Sequence, residues 1–167
     1  RGEGAPVAIH YDKDGHVVTI TIDRPEARNS LDIDHFGKLA DCWVRFRDDP
    51  DAYVAILTGV GDVYCVGADL KRFVSVVTER ADKLAAGEAS LKVEGSEYTM
   101  AHSLVAVLRD GALVPETGEE FALYKPVIAA INGICAAGGM EMMWNTDLRV
   151  VADDAWFQLA EPRRGLA

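Results

Sequence analysis

Residues 124–143 read YKPVIAAINGICAAGGMEMM, an apolar strand that runs into small residues and then into a helix bearing a glutamate. Pro126 has no backbone N–H to donate and suits the first position of a strand. Residues 127–131 form a short apolar run of the kind buried on both faces. A turn follows at Asn132-Gly133. Residues 134–139 are small or apolar and end in paired glycines, which let another backbone or a ligand approach without an intervening side chain. Residues 140–144 read as the first turns of a largely buried helix. Because the first backbone N–H groups of a helix lack internal partners, the Gly138-Gly139 turn can present donors to a developing anion. Close packing of helix on strand explains the same glycines, so the stretch alone leaves both readings open.

Around this stretch, 167 residues suffice for one domain with a substantial core. A net charge of −10 argues against a general nucleic-acid or anionic-membrane surface, while leaving room for a local basic pocket that holds a phosphorylated ligand. Arg24, Arg28, Lys71 and Arg72 are the candidates for that pocket. Cys42, Cys65 and Cys135 lie far apart inside apolar runs and are expected reduced and buried. Their spacing to His10, His16, His35 and His102 resembles no metal site. The apolar runs are too short for a membrane-spanning helix, and residues 1–20 lack a signal-peptide pattern. The expectation is a cytoplasmic protein, or one of an organelle matrix after removal of a targeting peptide.

The chain upstream alternates strands and helices, which predicts an α/β fold. Residues 7–11 and 16–23 flank Lys13-Asp14-Gly15 and predict an antiparallel edge hairpin. A loop at 24–29 leads to a helix capped by Ser30 or Asp32, with Phe36, Leu39, Ala40, Trp43 and Phe46 at helical spacing and a stop near Asp48-Asp49-Pro50. Residues 53–58 read as a buried strand. The glycine pair Gly59 and Gly61 lacks the third glycine and the following long helix of a dinucleotide fingerprint. Residues 63–66 are extended, and 67–71 repeat the pattern of strand, small-residue turn and helix start. Two such turns can supply one backbone N–H each to a single oxygen. Residues 73–95 and 96–108 favour helix, the second with Met100, Leu104, Val107 and Leu108 inward, and 109–120 read as a loop. Strands at 148–152 and 156–159 then bring Glu161 back towards the edge that carries Glu141.

Four pieces, ITIDRPEARNSLD, VAILTGVGDVYCVGADLKRF, YKPVIAAINGICAAGGMEM and DLRVVADDAWFQLAEPRRGLA, resemble in order the crotonase, or enoyl-CoA hydratase/isomerase, superfamily, most closely its enoyl-CoA hydratases. The resemblance covers nearly the whole chain. It implies a spiral of ββα units, two roughly perpendicular sheets surrounded by helices, and a homotrimer or a hexamer. It makes residues 1–167 the core domain of the family unit, with the C-terminal helical segment apparently absent and the sequence expected to be truncated. It further implies that the N–H groups of Ala68 and Gly138 form the oxyanion hole for an acyl-CoA thioester. Arg28 and the backbone around Val66, Ala68, Asp69 and Leu70 would contact coenzyme A, and Glu141 and Glu161 would be the acid/base pair. No prosthetic group is implied beyond the coenzyme A of the substrate, and neither nucleic acid nor membrane is an expected partner.

The activity so implied is hydration of a 2-enoyl-CoA. Isomerisation, decarboxylation, thioester hydrolysis or acyl-CoA binding without catalysis are the alternatives. Local chemistry offers plainer roles for the same residues: a first-turn helix acid for Glu141, a surface pair with Arg163 or Arg164 for Glu161, a solvated loop residue for Arg28, and a helix cap for Asp69. Two departures from the family pattern stand out. Ala137 occupies a position where many hydratases have glycine, and Ala160-Glu161-Pro162 places proline after the glutamate rather than before it.

Overall fold

A computed structural model of the chain describes residues 8–72, 122–160 and 162. The helices expected over 73–95 and 96–108, the loop over 109–120, and Glu161 lie outside the described residues.

The first two strands, β1 (Ile9–Asp14) and β2 (Val17–Ile22), pair antiparallel with Asp14 opposite Val17. The turn is therefore Gly15-His16, one residue later than the Asp-Gly pair suggested. Only Gly15 takes a positive φ, at 57°, which matches a hairpin loop that places glycine first. Helix α1 (Ile33–Asp48) is capped by Asp32, not Ser30, through a 3.1 Å bond from the His35 amide to the Asp32 carboxylate. Its buried face holds Phe36, Leu39, Ala40, Trp43 and Phe46 as the spacing requires. At its far end the Lys125 ammonium donates to the carbonyls of Phe46 and Asp49, where a cation satisfies acceptors that the helix leaves unpaired.

Three further strand pairs follow one rule. Strands β3 (Val54–Gly59), β5 (Val127–Ile131) and β7 (Leu148–Val151) add in turn to a five-stranded sheet of order β1-β2-β3-β5-β7. Their successors β4 (Val63–Cys65), β6 (Ile134–Ala136) and β8 (Phe157–Gln158) build a second, all-parallel sheet of order β4-β6-β8. Each step along the chain thus advances one strand in both sheets, a spiral of repeated units. Helix α2 (Gly138–Trp144) closes the middle unit.

The core lies on the face of the large sheet where register aligns Val18 with Ala55 and Val127, and Ile20 with Leu57 and Ala129, all buried. Burial of each of the larger side chains in these rows stabilises the fold by about 1.5–3 kcal/mol. On β5 burial alternates, with Ile128 and Ala130 only partly covered, so the strand is less enclosed than its apolar run suggested. Strand β7 is exposed along its whole length, including Leu148, Val150 and Val151. No described helix is long and apolar enough to cross a membrane.

Candidate active site

Two turns, one after β4 and one after β6, meet at the ends of adjacent parallel strands. In the first, Leu31 forms a parallel bridge to Ala68: its amide donates to the Gly67 carbonyl and its carbonyl accepts from the Asp69 amide, both at 2.8 Å. Such a bridge uses the peptide groups flanking Ala68 and leaves the Ala68 N–H pointing away from Leu31. Gly67 sits at φ 87°, and a Cβ there would lie 2.6 Å from the Gly138 nitrogen. Only glycine accommodates both the conformation and the contact. Beyond Ala68 the expected helix start is, through Arg72, a turn held by Asp69, whose carboxylate accepts from the amides of Lys71 and Arg72 at 3.0 and 3.2 Å. The capping role read for Asp69 is thus realised as a turn within the described residues.

In the second turn the Ala137 amide donates to the Gln158 carbonyl of β8 at 2.9 Å, and the Ala137 carbonyl accepts from Met140 and Glu141 as α2 begins. Ala137 itself adopts φ 49°, ψ −127°, a region that side chains rarely enter. Gly139 backs onto the Cys65 carbonyl, where a Cβ would stand only 2.2 Å from the oxygen. A Cβ on Gly138 would lie 3.3 Å from the Gly67 Cα and 3.8 Å from the Ala68 nitrogen, so the two peptide groups are neighbours. Among the described residues neither the Ala68 nor the Gly138 amide has a hydrogen-bond acceptor.

The turns open on a cavity of about 780 Å³, within the size range of small-molecule sites. Val66, Gly67, Ala68, Asp69, Leu70 and Lys71 line one side, and Ala136, Ala137, Gly138 and Glu141 the other. Leu31, Phe36, Ile134 and Trp156 add apolar wall, with Glu26 and Arg28 at the same opening. Glu141 is exposed, and its Oε2 is 3.7 Å from where a Gly138 Cβ would be. The structure therefore brings Ala68, Gly138, Glu141, Arg28, Val66, Asp69 and Leu70 to one cavity; Glu161 lies outside the described residues.

Arg24 departs from expectation. It is buried, and its guanidinium donates to the Ser30 carbonyl and to Asp69 Oδ2, each at 2.9 Å, with Asp32 Oδ2 at 3.6 Å. A guanidinium so engaged is an internal strut rather than a phosphate ligand. Arg72 likewise donates to Asp32 Oδ2 at 3.2 Å. Of the four basic candidates, Arg28 and Lys71 line the cavity. Burial alone would raise the Asp32 carboxyl, but hydrogen bonds from the His35 side chain and amide, with the charges of His35 and Arg24, hold it well below the usual carboxylate range. For Asp69, too, burial is outweighed, here by the Arg72 amide, the Arg24 guanidinium and the Lys71 amide, and its pKa is lowered.

Sequence reasoning missed Asn29, which is fully buried at φ 54°. Its amide nitrogen donates to the carbonyls of Val60 and Val63, and its oxygen accepts from the Arg24 amide. The available signal was the residue type, since asparagine tolerates the left-handed region and bonds backbone readily. The three cysteines are free and buried as expected, and burial pushes the Cys65 and Cys135 thiols up to about 12.

The sequence profile described as enoyl-CoA hydratase/isomerase matches residues 12–106 and 117–167. A mevalonyl-coenzyme A hydratase of Aspergillus fumigatus is 34% identical over 91% of the chain and 47% of its own length. An (E)-benzylidenesuccinyl-CoA hydratase of Thauera aromatica is 36% identical over 87% of the chain and 47% of its own length. The crystal structure of the enoyl-CoA hydratase EchA1 from Mycobacterium marinum superposes with a TM-score of 0.67 at 31% identity, covering 95% of this chain and 51% of that one. The chain spans about half the length of the curated relatives it matches.

Proposed function

The chain belongs to the enoyl-CoA hydratase/isomerase family and carries the crotonase fold, and on that footing we propose that it serves hydration of the 2,3 double bond of a 2-enoyl-CoA to the 3-hydroxyacyl-CoA. The observation that carries this reading is the pair of adjacent amides, Ala68 and Gly138, opening without acceptors among the described residues onto a cavity that Glu141 also lines. Water adds through oxygen to the β-carbon, the double-bond electrons move towards the thioester, and negative charge builds on its oxygen. Two preorganised N–H donors favour that charged state over the ground-state carbonyl; removing one such donor typically costs about 3–4 kcal/mol. Glu141 positions and deprotonates the water, and Glu161 delivers the proton to the α-carbon, so atoms and charge balance at 3-hydroxyacyl-CoA. Arg28, with the backbone at Val66, Asp69 and Leu70, holds coenzyme A as part of the substrate. The same reading carries an assembly of three or six copies in the cytoplasm or an organelle matrix.

A panel of 2-enoyl-CoA esters, read by product mass, tests the proposal with the intact protein. A gain of one water per ester, falling by about 100-fold or more in Glu141→Gln and Glu161→Gln, is the expected result. Mass-neutral isomerisation, loss of carbon dioxide, release of free coenzyme A, or unaltered hydration in both variants overturns it.

A further inference from the structure

We propose that Arg24 and Asp69 form a positioning clamp that sets the direction of the Ala68 N–H, and that the first oxyanion donor depends on this buried ion pair. The inference rests on the hydratase reading and adds two residues that do not touch the reacting atoms. Ala68 sits between two fixed points. On its N-terminal side the Gly67 carbonyl is tied to the Leu31 amide, and on its C-terminal side the Asp69 amide is tied to the Leu31 carbonyl.

Those two bonds fix where the strand lies but leave the pair Leu31 and Ala68 as an isolated bridge, outside any named strand. A single bridge is a weak anchor for a peptide group whose aim must be held. The side chains supply the rest. Arg24 reaches both strands of the bridge at once, with Nη1 on the Ser30 carbonyl next to Leu31 and Nη2 on the Asp69 carboxylate next to Ala68, each at 2.9 Å.

The guanidinium fork is rigid and planar, so two bonds from its two ends fix the separation and tilt of the segments they join. Asp69 completes the hold by spending its second oxygen on the amides of Lys71 and Arg72. Asp32 stands 3.6 Å from the same Nη2, and the Arg24 side chain is only 9% exposed against 15% for Asp69, so water competes little for the pair. Asp69 borders the cavity, while Arg24, which grips it, is buried and is not part of the cavity lining.

The test compares the intact wild-type protein with Asp69→Asn and Arg24→Ala, using a conjugated 2,4-dienoyl-CoA as an optical probe and a 2-enoyl-CoA as substrate. Hydrogen bonds to the thioester oxygen polarise the conjugated system and shift its absorbance to longer wavelength. Asp69→Asn keeps an oxygen for the Lys71 and Arg72 amides while removing the charge that Arg24 grips. The expected result is loss of most of the red shift and a fall in kcat of about 10- to 100-fold with KM changed less than about threefold. Arg24→Lys, which keeps the charge without the fork, should restore less than half of the shift.

If Arg24→Ala does not fold, Asp69→Asn decides alone, its thermal midpoint serving as the measure of folding. A red shift retained in Asp69→Asn, with kcat within about threefold of wild type, overturns the clamp and leaves the hydratase reading standing. A wild-type protein that binds the dienoyl-CoA with no red shift overturns the oxyanion reading itself, and the clamp with it.

Discussion

The turns at Gly67-Ala68 and Ala137-Gly138 present the same group, one backbone N–H each, to one cavity, yet they are built differently. The first is held from outside by side chains: Arg24, Asp69 and Asp32 surround it, and its sharp corner is a glycine at φ 87°. Among the described residues the second has no such ionic frame; it is held by backbone bonds to Gln158 and within α2, and its corner is Ala137 at φ 49°, ψ −127°. One turn relies on electrostatics around a relaxed residue, the other on packing around a strained one. A peptide group can be aimed by either means, but the two respond to different perturbations.

The perturbation that breaks both at once is Gly67→Ala. Its methyl group would enter the left-handed region and stand 2.6 Å from the Gly138 nitrogen, so backbone must move in both turns. A loss of about 1–3 kcal/mol in stability from denaturant unfolding, and of about 100-fold in kcat for the proposed hydration, is expected. Wild-type turnover in this variant would show that the turns tolerate separation.

The ionic turn is separated from the strained one by acid. Asp32 and Asp69 have folded pKa values below their unfolded ones, so their contribution to stability is present above the unfolded carboxylate value near about pH 4 and is lost as pH falls through the lower folded values. Urea midpoints measured from about pH 5 downward should fall in wild type and fall less steeply in Asp32→Asn. At neutral pH Asp32→Asn should cost about 1–2 kcal/mol, because asparagine still caps α1 but no longer balances His35 and Arg24. Parallel acid profiles for the two proteins would place the charge balance elsewhere.

The smallest effect belongs to the strained turn. Ala137→Gly relieves a conformation that costs about 1–3 kcal/mol for alanine and loses part of that gain to the greater freedom of glycine in the unfolded chain. A net rise in stability of about 1 kcal/mol is expected, seen as a higher denaturant midpoint. Turnover should stay within about threefold, since the Ala137 amide and carbonyl keep their bonds and the Gly138 N–H keeps its neighbours. A destabilised Ala137→Gly protein would mean that the methyl group packs more favourably than its backbone is strained.

The α/β class, the edge hairpin, α1 and its apolar face, and the strands at β3, β5 and β7 were legible in the sequence because they follow local rules of periodicity, turn chemistry and capping. Tyr64 and Trp43 are buried by the same logic of apolar runs. The family motifs also marked Ala68, Gly138 and Glu141 before any geometry was known. Three features were not legible. The Gly15-His16 turn differs from the expected one by a residue, because register is fixed by pairing across the hairpin rather than by the dipeptide. The turn at 69–72, in which Asp69 accepts from the Lys71 and Arg72 amides with one oxygen and holds Arg24 with the other, was hidden because Arg24 lies 45 positions away. Strand β6 was hidden in a run read as small or apolar residues, since three residues carry too little periodicity to be seen.

What the sequence alone determined, then, is the inventory: which segments alternate, which residues are small enough to turn, and which acids stand near the turns. Only the tertiary structure decided that Arg24 is a strut and not a ligand, that Leu31 exposes the Ala68 amide by bonding its neighbours, and that Gly67 meets Gly138. The physical reason is range. Propensity and spacing act within a few residues, whereas Arg24 and Asp69 are 45 positions apart and Gly67 and Gly138 further still, brought together only because each spiral step sets one strand beside the last.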